Sequence, residues 1–352
     1  MKVVHIESGL GNQMLSYCEF LAMKKANPND KVYIENIIYD IKEANDYICQ
    51  WNGYELDRVF HVDAPNVREL FTEFQWEAII KDIKTTQFWK RNWNYPVLFT
   101  DAFRKHGINL KNIRGDFESP EWPRMVMSDH ESLVRRIKDK LERFLPYIYL
   151  QQYVRKRRTA VVVVDYEKDL FVKTDEDVFT GQRLTFKMKN SGIEKIDNEI
   201  RKSFTFPEIT DEKNRAAMKE IVSQEAVAIH ARRGDMLGYN YAYYVTGYFK
   251  RAVKYIKQHT SNPIFFIFCD PGSVQWAKDN ADVLGLNMKK DRVNFVDWNK
   301  STDSYRDMQL MAACKHQVIT NSSFGWWGAW LNTNPDKITC SPDAMINTTH
   351  TF

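Results

Sequence analysis

From residue 226 onward the chain alternates five short apolar runs with four helix-period segments, and this alternation limits the fold more than any other feature. The runs fall at 226–229, 264–268, 293–296, 317–320 and 337–340; the intervening helices are expected over 247–259, 273–282, 302–315 and 324–331. Apolar runs of this length, separated by amphipathic stretches, bury a parallel sheet between two layers of helices. The amino terminus shows the same unit: a strand over 3–6, a turn at Gly9 and Gly11, a helix from about Asn12 to Lys25, and a strand over 31–35. The class expected is therefore α/β with doubly wound sheets. Between these regions the periodicity weakens. Helical pieces are expected within 70–88, a charged stretch at 132–158, a short strand at 161–164, and an irregular or inserted middle over about 115–190. With 352 residues, 43% of them hydrophobic, the chain can build two cores. The expected division is 1–205 and 206–352.

Composition excludes several classes. Lys plus Arg number 50 against 46 for Asp plus Glu, and a net charge of +4 gives no reason to expect a nucleic-acid partner. Five scattered cysteines, none spaced as a C-x-x-C pair, fit buried reduced thiols better than a disulfide framework or a zinc site. No apolar signal core follows a basic start, and no run approaches a membrane span, so a cytoplasmic location is expected. Whether the basic residues from Arg155 to Arg158 touch a membrane surface is left open by the sequence.

Ligands of doubly wound sheets sit beyond the carboxyl ends of the strands. The first such end reads His230-Ala231-Arg232-Arg233-Gly234-Asp235. Guanidinium forks match phosphate oxygens bidentately and keep their charge, so two arginines here suit a phosphate; an exposed pair bridged to Asp235 is the plainer reading. Asp270, after the 264–268 run, is a candidate for base or ribose recognition, or a helix cap. Ser322 and Ser323 open a helix whose amides and dipole favour an anion, although they could simply be caps. In that helix Trp326 and Trp330 share one face and fit a core better than a sugar platform. Gly11, in Gly9-Leu10-Gly11-Asn12-Gln13-Met14, would let backbone approach a ligand, but Met14 takes the place of the third glycine of a dinucleotide fingerprint.

Four ordered segments carry a resemblance: the Gly9–Met14 string, the string from His230 to Asp235, that from Phe266 to Asp270, and Asn321-Ser322-Ser323-Phe324-Gly325-Trp326-Trp327-Gly328-Ala329-Trp330-Leu331. Together they resemble glycosyltransferase family 11, the α1,2-fucosyltransferases that use GDP-fucose. Weaker echoes run from Tyr54 to Phe60 and from Ile200 to Phe204. The chain departs from the pattern at Gly325, where the family usually has serine, and at Cys269 and Pro271, which puts in doubt the donor contacts of those side chains.

The resemblance implies a GT-B-like architecture, two Rossmann-type domains facing across a cleft, with the acceptor on the amino-terminal side and GDP-fucose on the carboxyl-terminal side. It further implies inverting, metal-independent transfer of L-fucose to the 2-hydroxyl of a galactose-type acceptor on an oligosaccharide or glycan. Arg232 would neutralise the β-phosphate as its bond to the sugar breaks; His230, Arg233, Asp270, Ser322, Ser323, Phe324 and Gly11 would line the donor. Asp235 is the nominated base, with Glu7 as a second candidate, and Asn12 would sit near the reacting atoms. The acidic run Asp175-Glu176-Asp177, with no strand expected after it, reads as solvated charge and not as a metal ligand. Transfer in another linkage or to another acceptor, and a non-catalytic glycan-binding role for the tryptophans, are the alternatives.

Overall fold

The computed structural model describes residues 1–47, 52–90, 95–111, 113–115, 150, 171, 177–180, 186–187, 190–234 and 237–352. The expected strand at 161–164, the charged stretch at 132–158 and most of the irregular middle lie outside these residues.

Two parallel sheets organise the chain, in agreement with the expected α/β class. The first is ordered β2-β1-β4-β3, from β1 (Lys2–His5), β2 (Val32–Glu35), β3 (Ile113–Gly115) and β4 (Val178–Thr180). The strand β4 begins directly after Asp177, which corrects the expectation that no strand follows the acidic run. The Asp177 carboxylate accepts the Lys111 N–H at 2.7 Å, and its carbonyl accepts that of Val3, so it is a register-setting residue at a strand entrance. Around this sheet lie α1 (Leu10–Ala26), α2 (Lys42–Tyr47), α3 (Glu55–Phe60), α4 (Glu73–Thr85) and α5 (Tyr95–Lys105).

The second sheet is ordered β10-β9-β8-β5-β6-β7. It comprises β5 (Ala226–Ala231), β6 (Ile264–Cys269), β7 (Arg292–Val296), β8 (His316–Val318), β9 (Thr339–Ser341) and β10 (His350–Thr351). Read outward from β5, β6 and then β7 follow on one side and β8, β9 and β10 on the other, so the winding reverses between β5 and β8, where a doubly wound sheet opens its ligand crevice. All six residues of β5 are buried, as a central parallel strand covered on both faces requires. Its helices, α6 (Asp197–Ser203), α7 (Glu212–Ser223), α8 (Leu237–Val245), α9 (Tyr248–His259), α10 (Val274–Asp279), α11 (Tyr305–Ala313) and α12 (Ser323–Leu331), include the four expected. The polar α6 and α7, the short tyrosine-rich α8 and the two-residue β10 carried too little apolar periodicity to stand out.

The halves share a core. One cluster runs continuously from Val4, Met14 and Phe60 of the first to Phe266, Met311, Trp326 and Trp327 of the second. Phe204, in the connection, packs against Tyr17 and Phe60 on one side and edge-on to Trp327 at 5.3 Å on the other. Burial of Trp326, Trp327 and Trp330 shows the tryptophans of α12 to be core. Cys18, Cys314 and Cys340 are buried free thiols and Cys269 is half-buried. Among the described residues no helix is long and apolar enough to cross a membrane.

Candidate functional site

Both strands that flank the reversal end in the residues singled out from the sequence. At the end of β5 the Arg232 guanidinium pairs with the Asp270 carboxylate from the end of β6, while the other Asp270 oxygen accepts the Arg233 N–H at 2.7 Å. Asp270 is 5% exposed, whereas the Arg232 side chain retains 25%. A buried carboxylate thus orients a partly open cation, and Asp270 is committed to the arginine loop before any ribose or base could engage it. Gly234 permits this approach, because a Cβ there would stand 2.9 Å from the Asp270 Cγ. Asn240 donates to the Arg232 carbonyl at 3.0 Å and fixes the other side of the turn.

The two arginines do different work. The Arg233 guanidinium lies 3.6 Å from the centroid of the Trp276 ring and 5.1 Å from that of Tyr244. Stacking between aromatic faces holds it as a clamp on the loop, so Arg232 is the better placed of the pair to meet a phosphate. Asp235, the nominated base, lies outside the described residues.

His230 is 5% exposed on β5, and its Nδ1 has no hydrogen-bond partner. Burial, and secondarily the Arg232 charge, push its pKa down to about 3, so the ring is neutral at physiological pH. Its surroundings explain one departure from the family pattern: a Cβ on residue 325 would lie 2.4 Å from the His230 Nδ1. Glycine there lets α12 pack onto the imidazole. Gly325→Ala is therefore expected to cost about 1–3 kcal/mol by overpacking as His230 is displaced. Thermal unfolding checks this, and an unshifted melting point would show that His230 yields freely.

At the end of β8, Ser322 takes the N-cap position of α12 but its hydroxyl makes no capping bond. The Ser323 hydroxyl instead donates to the Asn12 Oδ1 at 2.7 Å, which joins the first half of the chain to α12. The Phe324 ring lies tilted against that of His230, 5.9 Å between centroids. Gly11 requires a correction. The helix α1 starts at Leu10, so Gly11 lies inside its first turn, and a Cβ there would meet the Phe324 nitrogen at 2.7 Å and Ser323 Oγ at 2.9 Å. Its bareness admits α12, a protein element, where the sequence suggested a ligand.

Lys187 was invisible in the sequence because it sits in an aperiodic segment. It is buried, its ammonium donates to the Asn321 carbonyl at 3.2 Å, and burial lowers its pKa to about 8 against the opposing pull of Asp343. It braces the Asn321–Ser323 turn from below. Trp276 and Asn240 likewise act on the arginine loop from helices whose sequences carry no motif.

Residues 141–349, more than half of the chain, match the sequence profile of glycosyl transferase family 11. The chain belongs to that family. It is 34% identical over 133 residues to the O-antigen biosynthesis glycosyltransferase WbnK of Escherichia coli, a match covering 35% of this chain and 41% of the relative. It is 34% identical over 122 residues to an alpha-1,2-colitosyltransferase of Escherichia coli (33% and 40%), and 23% identical over 148 residues to galactoside alpha-(1,2)-fucosyltransferase 1 of Saimiri sciureus (39% and 38%). The matched stretches span about two fifths of these relatives' lengths. A solved NodZ alpha-1,6-fucosyltransferase co-crystallized with GDP aligns over 98% of this chain and 97% of its own, with TM-score 0.45 and 11% identity.

Proposed function

We infer that the chain transfers L-fucose from GDP-β-L-fucose to the 2-hydroxyl of a galactose-type acceptor on an oligosaccharide or glycan, with inversion and without a metal. The observation that carries this reading is Arg232, a partly open cation oriented by buried Asp270 where the sheet winding reverses. When the bond from the sugar to the β-phosphate breaks, negative charge grows on the phosphate, and a preorganised cation stabilises that charge without reorganising. Ser322 and the amides that open α12 approach the same diphosphate from the β8 side, and neutral His230 offers a nitrogen to it or to the ribose. Arg233 holds the loop. Asn12, bonded to Ser323, belongs to the acceptor side of the junction.

The names of the relatives support the linkage and the donor class. They also give a second reading weight, since one of the two 34% identical relatives is named for colitose, a sugar with one hydroxyl fewer than fucose. The test is direct: purified protein, treated with chelator, is incubated with a β-galactoside and GDP-fucose or GDP-colitose, and the product linkage is read by NMR. An α1,2-fucosylated product carries the first reading; turnover of GDP-colitose alone carries the second; strict dependence on added metal would sink the metal-free mechanism.

A further inference from the structure

In-line displacement fixes where a base must stand. The leaving diphosphate and the attacking oxygen lie on opposite sides of the anomeric carbon, so if Arg232 at the end of β5 holds the leaving group, the proton acceptor belongs on the side of the first sheet. That sheet gathers three ionisable side chains at the carboxyl ends of β1 and β2. His5 is fully enclosed, with Nδ1 2.5 Å from the Glu35 Oε2 and Nε2 3.6 Å from the Glu7 Oε2. The second Glu35 oxygen accepts the Ile37 N–H at 2.5 Å. Glu7 itself is 4% exposed.

Two carboxylates around one imidazole are costly to bury, and an apolar trio of the same volume would serve a merely structural end as well or better. Glu7 also opens the segment that reaches the donor helix. Ser8, directly after it, is held at φ 71°, a left-handed conformation uncommon for serine, with its carbonyl pinned by the Gln13 amide at 2.9 Å and the Tyr39 hydroxyl at 2.6 Å. One helical turn later comes Asn12, bonded to Ser323.

We propose that Glu7 is the proton acceptor of the transfer reaction, and that His5 and Glu35 are positioning residues which fix its carboxylate. The inference rests on the donor reading above. As the acceptor oxygen forms its bond to the anomeric carbon, its proton passes to a Glu7 oxygen; the bond from that carbon to the diphosphate oxygen breaks, and its electron pair leaves with GDP.

The test compares wild type, Glu7→Gln, Glu7→Ala, His5→Asn and Asp235→Asn for transfer, GDP affinity and thermal midpoint. Loss of a general base lowers kcat by roughly 10²–10⁴-fold. Glu7→Gln is expected to show that loss with GDP affinity unchanged, and azide or formate is expected to restore part of the transfer by Glu7→Ala. His5→Asn is expected to move the acid limb of the kcat–pH profile. Glu7→Gln that transfers at the wild-type rate overturns the proposal, as does loss of the acid limb in Asp235→Asn while Glu7→Gln keeps it. A Glu7→Gln protein whose GDP affinity falls in proportion to its rate would make Glu7 structural. Failure of the donor reading is separate, since it appears as wild-type protein that neither binds GDP nor consumes the donor.

Discussion

Replacing Arg232 by alanine is expected to lower transfer by roughly a hundred- to a thousandfold. If Arg232 meets the leaving diphosphate as proposed, the loss falls on kcat more than on KM, because that charge is larger in the transition state than in the bound donor. Removing the guanidinium also strands Asp270, whose carboxylate is buried and retains only the Arg233 N–H, so some structural cost accompanies the chemical one. Two controls separate them. Arg232→Lys keeps the charge and loses the fork, and is expected to recover part of the rate but not all of it. Arg232→Ala with Asp270→Asn removes the stranded charge; if stability returns while activity does not, the loss is chemical. Steady-state kinetics with GDP-fucose, beside thermal unfolding, reads both quantities. Full activity in Arg232→Ala would remove the phosphate assignment.

The pH dependence of stability offers an independent check on the buried cluster of the first sheet. Burial alone would lower the pKa of His5, but Glu35 and then Glu7 overcome it and hold it up at about 9, from an ordinary value of 6.5. A folded-state pKa above the unfolded one stabilises the fold fully below about pH 6.5, and that contribution is lost as pH rises through 9. Denaturation midpoints are expected to fall across this window in wild type and to fall less in Glu35→Gln. An equal slope in both proteins would mean that His5 does not titrate there.

The second sheet was legible because burial on both faces writes strands such as β6 as uninterrupted apolar runs. The arginines, serines and Asp270 could then be placed at strand ends by counting, before any contact was known. What could not be counted was partnership. Nothing local in the sequence says that Asp270 orients Arg232, that Arg233 is clamped by Trp276, or that Gly11 is bare for the sake of α12, since each pairing spans from about 40 to more than 300 residues of chain. Of the cluster His5, Glu7 and Glu35, Glu7 alone stood out in the sequence; His5 and Glu35 are buried at the ends of β1 and β2, where a polar residue looks like an interruption of the apolar pattern.

Trp327→Ala is expected to be the most destabilising of these substitutions, because Trp327 joins the two halves at one point. It is 0% exposed, its Nε1 donates to the Gly11 carbonyl at 2.9 Å, and its ring meets Phe204, Trp326 and Trp330 edge-on. Truncating a buried aromatic to alanine costs about 3–5 kcal/mol, set against a total stability of about 5–15 kcal/mol for a protein domain. Trp327→Phe keeps a ring and removes the donor, leaving the Gly11 carbonyl, already inside a helix, one partner short; about 1–3 kcal/mol is expected. The same change loosens the crossing that places Asn12 against Ser323, so Trp327→Phe should lose transfer activity out of proportion to its stability. Denaturant titration and initial rates on one preparation test this coupling. If Trp327→Phe melts early yet transfers normally, the junction is a structural seam only, and the alignment of Asn12 with α12 must come from elsewhere.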